Sequence, residues 1–478
     1  MKQTLILWFM FGLLPVCGMA RNGEQSHVEV SCDRILKRDV KQGAASANLC
    51  WLLDSDLRNP NAHRSMKEAL GDLGVGSLRF PYGHLADNYL WHVGDEAVQG
   101  SLRPRVASDR QQPASWEWAV NPDGTFPRAM DFDEYMQLCR SLGVEPLVVV
   151  NALSYKYEHG PTLDQLVASA KAWVSYARSK NYKVAYWQVG NEVDHHGDLI
   201  TRREYVDTYK RIARAMKDAD STIRVGPGIL SKTGYFDLIE EEAPELMDFT
   251  FCHQYMWAHK DSCATYEDWL RIRRSFIPNV KGMQAAVAKS GRDLEIVVTE
   301  TGVTGSGLKS NDVFAALWWF QVLMEELSTP QVSYVYFWGS HTPWQGGFDT
   351  EEDVGVLFRI DDNSPKPIAE ISKLVNRNLQ AHLVEVSCDN PLMEAYASMS
   401  EDGRAGTVFI LNKSTREEPV HVTLKGLPET HVAARWFGLY GDSPQSRKMQ
   451  RLPASDVSIR NRQFTLRLPA YSVSVIRY

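Results

Sequence analysis

The sequence predicts the α/β fold class, with a (β/α)8 TIM barrel and an accessory C-terminal β-sandwich. Between residues 45 and 378, short apolar runs alternate with stretches whose apolar residues recur at helical spacing, which indicates repeated βα units. From residue 379 to residue 478 the pattern changes to short alternating runs separated by turn residues, which is typical of a β-sandwich. We therefore predict a barrel over residues 45–378 and a sandwich over residues 379–478.

Eight apolar runs are expected to form the barrel strands, and eight strands are enough to close such a barrel. In chain order they are residues 45–53, 77–80, 146–150, 184–189, 223–225, 249–257, 294–298 and 332–338. Helical spacing is clearest over residues 66–73, 132–142, 163–174, 205–216, 313–323 and 368–375. The long connection over residues 85–130 is rich in Trp, Arg and Pro, and we expect it to shape a cleft at the active face.

The N-terminus has the pattern of a secretory signal peptide over residues 1–20. An apolar run, Leu5–Leu14, follows Lys2 and precedes small residues up to Ala20, and it is too short to cross a bilayer. Export to the periplasm or the extracellular space is expected, and no later segment is apolar for long enough to span a membrane. A lipid anchor at Cys17, which would tether the protein to a surface, is less favoured because Val16 is a poor residue before a modified cysteine. Residues 21–44 are polar, and an alternating run near His27 is a candidate strand of the sandwich.

Charge and cysteine content narrow the classes of partner. The net charge of −7 gives no basic field, so nucleic acid is not expected as a partner. The cysteines show no CxxC and no metal-ligand spacing, and the adjacent His195 and His196 face apart, so neither a metal nor a cofactor is predicted. A disulfide between Cys252 and Cys263 is permitted in an oxidising compartment, but buried free thiols are favoured by their apolar surroundings.

Two glutamates follow two of the predicted strands. Glu192 comes after the run 184–189 and Gly190, and Glu300 follows the run 294–298. Because the C-terminal ends of barrel strands line one pocket, we expect these carboxylates to face each other. A carboxyl pair suits glycoside hydrolysis, in which one group protonates the leaving oxygen and the other attacks the anomeric carbon or activates water. The alternative is that each Glu caps a helix or pairs with an Arg.

The residues around both glutamates resemble a known clan. Residues 187–192, Trp-Gln-Val-Gly-Asn-Glu, resemble the strand-four signature of clan A glycoside hydrolases, which are retaining (β/α)8 barrels. Residues 298–302, Val-Thr-Glu-Thr-Gly, resemble the strand-seven nucleophile segment of that clan. The resemblance implies that Glu192 is the acid/base and Glu300 the nucleophile. It also implies that Asn191 binds the hydroxyl next to the anomeric carbon. We expect the negative neighbour to raise the pKa of Glu192.

Further site residues are implied by the same resemblance. Residues 78–84 resemble the strand-two segment of arabinofuranosidase-type members, in which an Arg, here Arg79, keeps the nucleophile ionised. This chain has Tyr82-Gly83 where those families usually have paired glycines. His253 and Tyr255 resemble the strand-six pair, with the Tyr hydroxyl donating to the nucleophile, and Trp338 resembles the strand-eight aromatic floor under the sugar. The alternatives are purely structural roles: a salt bridge in the barrel wall for Arg79, and a hydrogen-bonded core position for His253.

The sequence therefore predicts a retaining glycoside hydrolase acting on a plant or algal polysaccharide or oligosaccharide. Arabinofuranosides, xylosides, galactosides and algal galactans all remain open as substrates, because loop shape decides the sugar. The alternative is a non-catalytic carbohydrate-binding protein on the same barrel. A metal-dependent barrel of the enolase type is disfavoured, because successive carboxylates and a catalytic Lys are missing from the strand ends.

Overall fold

The structure is a computed structural model. It describes residues 25–57, 62–91, 105–106, 129–157, 160–257, 263–304, 311–342 and 355–478. The residues of the predicted signal peptide, Cys17, and most of the connection over 85–130 lie outside this part of the chain.

In chain order the strands are β1 (Ser26–Lys37), β2 (Ala45–Asn48), β3 (Ser77–Phe80), β4 (Tyr89–Leu90), β5 (Arg105–Val106), β6 (Glu145–Val150), β7 (Tyr186–Val189), β8 (Val225–Pro227), β9 (Phe249–Trp257), β10 (Glu295–Thr304), β11 (Val332–Phe337), β12 (His382–Cys388), β13 (Met393–Met399), β14 (Gly406–Asn412), β15 (Glu418–Lys425), β16 (His431–Tyr440), β17 (Gln450–Arg460), β18 (Gln463–Leu468) and β19 (Ser472–Arg477). The helices are α1 (Met66–Leu73), α2 (Phe132–Leu142), α3 (Leu163–Ser179), α4 (Arg202–Ala219), α5 (Thr233–Glu242), α6 (Tyr266–Arg271), α7 (Pro278–Ser290), α8 (Val313–Leu327) and α9 (Pro367–Asn378).

The predicted (β/α)8 barrel is confirmed. Its strands are parallel and follow the order β8-β7-β6-β3-β2-β11-β10-β9. The ring closes between β8 and β9 through backbone hydrogen bonds, from Asp248 N to Val225 O at 2.9 Å and from His253 N to Leu230 O at 2.9 Å. Every strand end of this ring therefore faces a common pocket on the carboxyl side.

The first barrel strand is shorter than predicted. We expected a strand over 45–53, but β2 ends at Asn48, and the apolar residues that follow form a turn in which Leu53 N and Asp54 N both donate to Cys50 O at 2.9 Å. A short apolar run does not by itself distinguish a strand from a buried turn.

Helix α8 explains how the two parts of the chain are joined. Nearly all of its side chains are buried, which is unusual for a helix on the outside of a barrel. The second β-unit covers its outer face, with the Phe320 ring 5.9 Å from Tyr396 and 6.2 Å from Phe409. The all-round apolar sequence of this helix is therefore a consequence of packing on both sides.

The predicted C-terminal β-unit is confirmed, and its sheet closes on itself. Nine strands follow the order β1-β12-β13-β14-β19-β16-β17-β18-β15. Strand β1, which contains the run near His27, pairs antiparallel with β12 and parallel with β15. The chain thus begins its described part in this unit, crosses to the barrel and returns.

The structure also bears on the expected free thiols and on the expectation that no segment spans a membrane. The six described cysteines are free, and both Cys252 and Cys263 are buried. Among the described helices, each one is too short or too polar to cross a bilayer.

Candidate active site

Glu300 lies in the middle of β10 and is held by two donors. The pairing of β10 with β9 shifts by one residue at Thr299, between Val298 opposite Cys252 and Glu300 opposite His253. Arg79 Nη1 donates to Glu300 Oε1 at 3.0 Å, and the Tyr255 hydroxyl donates to Oε2 at 2.6 Å. Two donors on the two oxygens fix the orientation of this carboxylate in the pocket.

The Arg79 side chain is fully buried and is fixed by neutral acceptors as well. Its Nε donates to Gln188 Oε1 at 3.0 Å, its Nη1 to Asn48 Oδ1 at 2.6 Å, and its Nη2 to Asn191 Oδ1 at 2.6 Å. These residues lie on or just after β2, β3 and β7, so the guanidinium ties three strands to the nucleophile on a fourth. A planar fork held in this way leaves Glu300 little freedom to rotate.

Glu192 lies just beyond β7 in a left-handed backbone conformation, with φ 45° and ψ 35°. Such a conformation is uncommon for a residue with a side chain and is often found at functional positions. Its side chain is 16% exposed, so it reaches the pocket. The His253 Nδ1 lies 2.8 Å from Glu192 Oε1, and the His195 Nδ1 lies 3.8 Å from Oε2.

The expected rise in the pKa of Glu192 is wrong for the free protein. Burial does raise this pKa, but the imidazoles of His195 and His253 outweigh burial and hold it below its usual value. The expectation considered only the carboxylate of Glu300 and missed the two imidazoles.

His253 lies between the two carboxylates. Because a carboxylate can only accept, Nδ1 donates to Glu192, and Nε2 accepts from the Thr299 hydroxyl at 2.9 Å. The same Nδ1 is 3.6 Å from Glu300 Oε2. A carboxylate oxygen of Glu192, one of Glu300 and a ring nitrogen of His253 all lie within 4.8 Å of one another. The carboxyl pair is therefore close together, as in retaining glycosidases, where the two groups are about 5 to 5.5 Å apart.

Asn191 has one polar atom left for a ligand. Its Oδ1 accepts from Arg79, whereas its Nδ2 is buried and has no hydrogen-bond partner among the described residues. An unpaired buried donor is costly unless something in the pocket accepts from it. Its placement fits the predicted contact with a sugar hydroxyl.

Trp338 lies beside the nucleophile at the end of β11. Its Nε1 donates to Gly355 O, and its ring packs so closely on Gly302 that a Cβ there would come within 2.7 Å of Cδ1. The ring of Tyr82 is 6.0 Å away. Trp338 is thus fixed in position against the residue two places after Glu300 in the neighbouring strand, which fits the predicted aromatic floor.

The Tyr82-Gly83 pair has a physical explanation. Tyr82 has a φ of 93°, a conformation that favours glycine, and its hydroxyl donates to His341 O at 3.1 Å. Gly83 approaches the nucleophile directly, since a Cβ on it would lie 1.9 Å from Glu300 Oε1. Glycine is therefore required at position 83, while position 82 accepts a strained Tyr whose ring adds a wall beside Trp338.

Several members of this site were not predicted from the sequence, namely Asn48, Gln188, Thr299, His195 and Tyr82. Strand alternation puts Gln188 on the inner face of β7, which was the one signal that pointed to it. The partners of Asn48 and Thr299 depend on strand register, which the sequence does not specify. The predicted roles of the seven site residues stay predictions, but the structure brings all seven to one end of the barrel.

These features define a (β/α)8 barrel protein with a paired-glutamate site of the kind that the sequence resembles. Comparison with known proteins agrees. Residues 69–272 match the family model described as alpha-L-arabinofuranosidase 1 domain. The resemblance to the arabinofuranosidase-type members of clan A is therefore confirmed.

Curated relatives match over part of the chain. The alpha-L-arabinofuranosidase C of Emericella nidulans is 30% identical over 180 residues, which is 34% of this chain and 31% of that protein. An intracellular exo-alpha-(1->5)-L-arabinofuranosidase of Bifidobacterium longum is 25% identical over 257 residues, which is 48% of this chain and 43% of that protein. The chain thus covers less than half the length of either relative.

Solved structures match over nearly the whole chain. The alpha-L-arabinofuranosidase of Thermotoga maritima superposes with a TM-score of 0.68 at 17% identity, covering 95% of this chain and 99% of that one. A family 51 alpha-L-arabinofuranosidase from Bifidobacterium longum gives 0.69 at 16% identity, with coverage of 95% and 99%. At these identities the comparison establishes the shared fold, including both β-units.

Proposed function

We propose that this protein is a retaining glycoside hydrolase of plant polysaccharides or oligosaccharides, with terminal α-L-arabinofuranosides as the first substrates to test. One observation carries the proposal: Glu192 and Glu300 have carboxylate oxygens within 4.8 Å, which is the arrangement for double displacement. The arabinofuranosyl group is suggested by the names of the relatives.

In the first step, Glu300 attacks the anomeric carbon and the glycosidic C–O bond breaks. Arg79 and Tyr255 orient the attacking carboxylate through one hydrogen bond to each oxygen. Glu192 transfers a proton to the departing oxygen, and the product is a glycosyl ester of Glu300. The bonds formed and broken leave the sugar attached with inverted configuration.

His253 orients the acid/base carboxyl group. Its Nδ1 donates to Glu192 Oε1 at 2.8 Å, so Glu192 Oε2 is the oxygen that can carry the transferred proton. In the second step Glu192 removes a proton from water, which attacks the glycosyl ester and restores the configuration. Glu192 then carries the proton that the next cycle needs.

Azide rescue provides the test. Wild type and Glu192→Ala are assayed on aryl α-L-arabinofuranosides and on aryl xylosides and galactosides, with and without azide. Glu192→Ala should form the glycosyl ester from a good leaving group but turn over slowly, and azide should restore turnover and yield a glycosyl azide of retained configuration, detected by NMR. An inverted azide product from this variant, or no hydrolysis by wild type combined with glycan binding, would contradict the proposal; the second result would favour a carbohydrate-binding protein.

The proposal includes export of the protein, which rests on residues 1–20 of the sequence. The curated bacterial relatives of Bifidobacterium longum and Bacteroides ovatus are named as intracellular. Cell fractionation with N-terminal sequencing of the product distinguishes the two locations, because an exported chain should begin near Arg21. Recovery of the full-length protein from the cytoplasm would contradict export, but it would not affect the proposed hydrolytic reaction.

A further inference from the structure

A second group of ligand-type side chains lies at the same end of the barrel. His84 and Asp87 belong to the short turn that follows β3, and His196 comes from the turn after β7. One potential ligand atom from each residue lies within 4.8 Å of the others. The two imidazole rings have centroids 5.1 Å apart and planes inclined by 32°.

This cluster differs from the Glu192–His253–Glu300 cluster in the hydrogen bonding of its histidine ring nitrogens. Both ring nitrogens of His253 have hydrogen-bond partners, and they belong to the carboxylate pair. The Nε2 of His196, in contrast, is buried and has no hydrogen-bond partner among the described residues. A buried imidazole nitrogen without a partner is unfavourable, and a cation between the two rings would remove that cost.

The backbone that carries these residues is already fixed. Asn151 Nδ2 donates to Asp87 O at 2.7 Å, and Ala86 N donates to Gly83 O at 2.9 Å. On the other side, His196 N donates to Val193 O at 3.3 Å. The ligand atoms of a tetrahedral zinc site stand about 3.3 Å apart, so a bound ion would draw these three side chains closer together.

We propose that His84, Asp87 and His196 form a site for one divalent transition-metal ion of the zinc class. Two imidazoles and one carboxylate are a ligand set that such ions prefer, and hard cations such as Mg²⁺ and Ca²⁺ prefer oxygen ligands. Three protein ligands leave at least one coordination position for water or for a hydroxyl of a bound sugar. No sequence pattern indicated this site, because its second imidazole comes from a distant part of the chain rather than from a neighbouring histidine.

Metal binding by the full chain, produced without a polyhistidine tag, tests the proposal. After chelator treatment and dialysis, Zn²⁺ is titrated by calorimetry, and Co²⁺ is added for its visible absorption spectrum. Wild type should bind one equivalent, and the bound Co²⁺ should show the intense bands of a four- or five-coordinate ion. His84→Ala and His196→Ala should each weaken binding at least about tenfold and change the spectrum.

A matched control is a second histidine pair on the β-unit, His27 and His421, whose rings are 5.6 Å apart. The double variant His27→Gln/His421→Gln should bind Zn²⁺ like wild type. Wild type without a stoichiometric Zn²⁺ site, or unchanged affinity in both His84→Ala and His196→Ala, would overturn the proposal. Circular dichroism confirms folding of each variant, and His84→Ala, which changes a partly exposed side chain, decides the matter if His196→Ala does not fold. The assay is independent of sugar hydrolysis.

Discussion

Strand β10 carries two similar carboxylates in different settings. Glu295, its first residue, accepts from the Tyr186 hydroxyl at 2.7 Å and from Arg224 Nη2 at 2.5 Å. Glu300 lies further along the strand, toward the carboxyl end of the barrel, and also has one Tyr and one Arg as donors. A Glu with an Arg and a Tyr therefore does not by itself mark an active site.

The two glutamates differ in the residues that surround them. At the carboxyl end a second carboxylate and an unpaired amide, on Glu192 and Asn191, point to the same place as Glu300. At the amino end the Arg224 guanidinium packs over the rings of Tyr186 and Phe249, and this cluster braces the bottom of the barrel. The same difference is general in (β/α)8 barrels, in which the face at the carboxyl ends of the strands carries the active site and the opposite face contributes to stability.

The sharpest test of this comparison replaces each glutamate by its amide. Glu300→Gln should lower kcat by a factor on the order of 10⁴ or more, because the nucleophile is lost. Glu295→Gln should leave kcat near wild type and lower stability by roughly 1 to 2 kcal/mol, because a charged acceptor is lost. Aryl-glycoside kinetics and thermal melts of both variants are compared. Equal kinetic effects of the two changes would remove the distinction between the two ends.

The second prediction concerns Arg79. Arg79→Lys keeps a positive charge but loses the planar fork that reaches Gln188, Asn191 and Glu300 together. We expect kcat/KM to fall about a hundredfold or more through misplacement of the nucleophile.

The matched change at the opposite end is Arg224→Lys, which should affect stability only. If Arg79→Lys kept wild-type kinetics, the network around Arg79 would be structural, like the cluster around Arg224.

The third prediction concerns Lys37, whose buried amine lies near the amino end of β11. It donates to Leu327 O at 2.7 Å and also to Val332 O. Burial lowers its pKa to about 7. Between that pKa and the unfolded value of about 10.4, the unfolded chain holds a proton that the folded chain has lost, so stability rises with pH by at most about 1.4 kcal/mol per unit. Lys37→Met should flatten this contribution.

Chemical unfolding of wild type and Lys37→Met between pH 7 and pH 9 measures the difference in slope. Lys41→Met is the control, because Lys41 is well exposed and should leave the slope unchanged. Parallel curves for wild type and Lys37→Met would mean that the amine does not release its proton in the folded state.

The smallest effect is expected for His195→Gln. Interaction with Glu192 raises the pKa of His195, and the same contact helps to lower the pKa of Glu192. Removing it should move the basic limb of kcat/KM to higher pH, because Glu192 then keeps its proton longer. The shift should stay below about one unit, since His195 is 75% exposed and solvent screens the contact. A shift to lower pH would show that another group controls this limb.

Much of the barrel was predictable, because the sequence pattern that favours each strand or helix lies within that short segment. β3 and β9 have the predicted bounds, since each is a short apolar run. Helices α5, α6 and α7 were missed. Strand β17 is exposed along most of its length, so its sequence has little of the alternation that marks a half-buried strand.

The candidate site was predictable in part for a related reason. Residues named by strand-end motifs, such as Glu192 and Glu300, came from the sequence together with the resemblance. Thr299 and His195 did not, because their contacts depend on the register shift in β10 and on the left-handed turn at Glu192. Those are properties of the assembled barrel, and no short segment encodes them.

The position of β1 has a consequence for synthesis on the ribosome. This strand emerges before the barrel segments, whereas its partners β12 and β15 emerge after them, so the nine-stranded sheet cannot close until the whole barrel has been synthesised. Until then β1 is an unpaired strand with exposed backbone groups, which invites association with other chains. A fragment truncated before β12 would leave that edge open permanently.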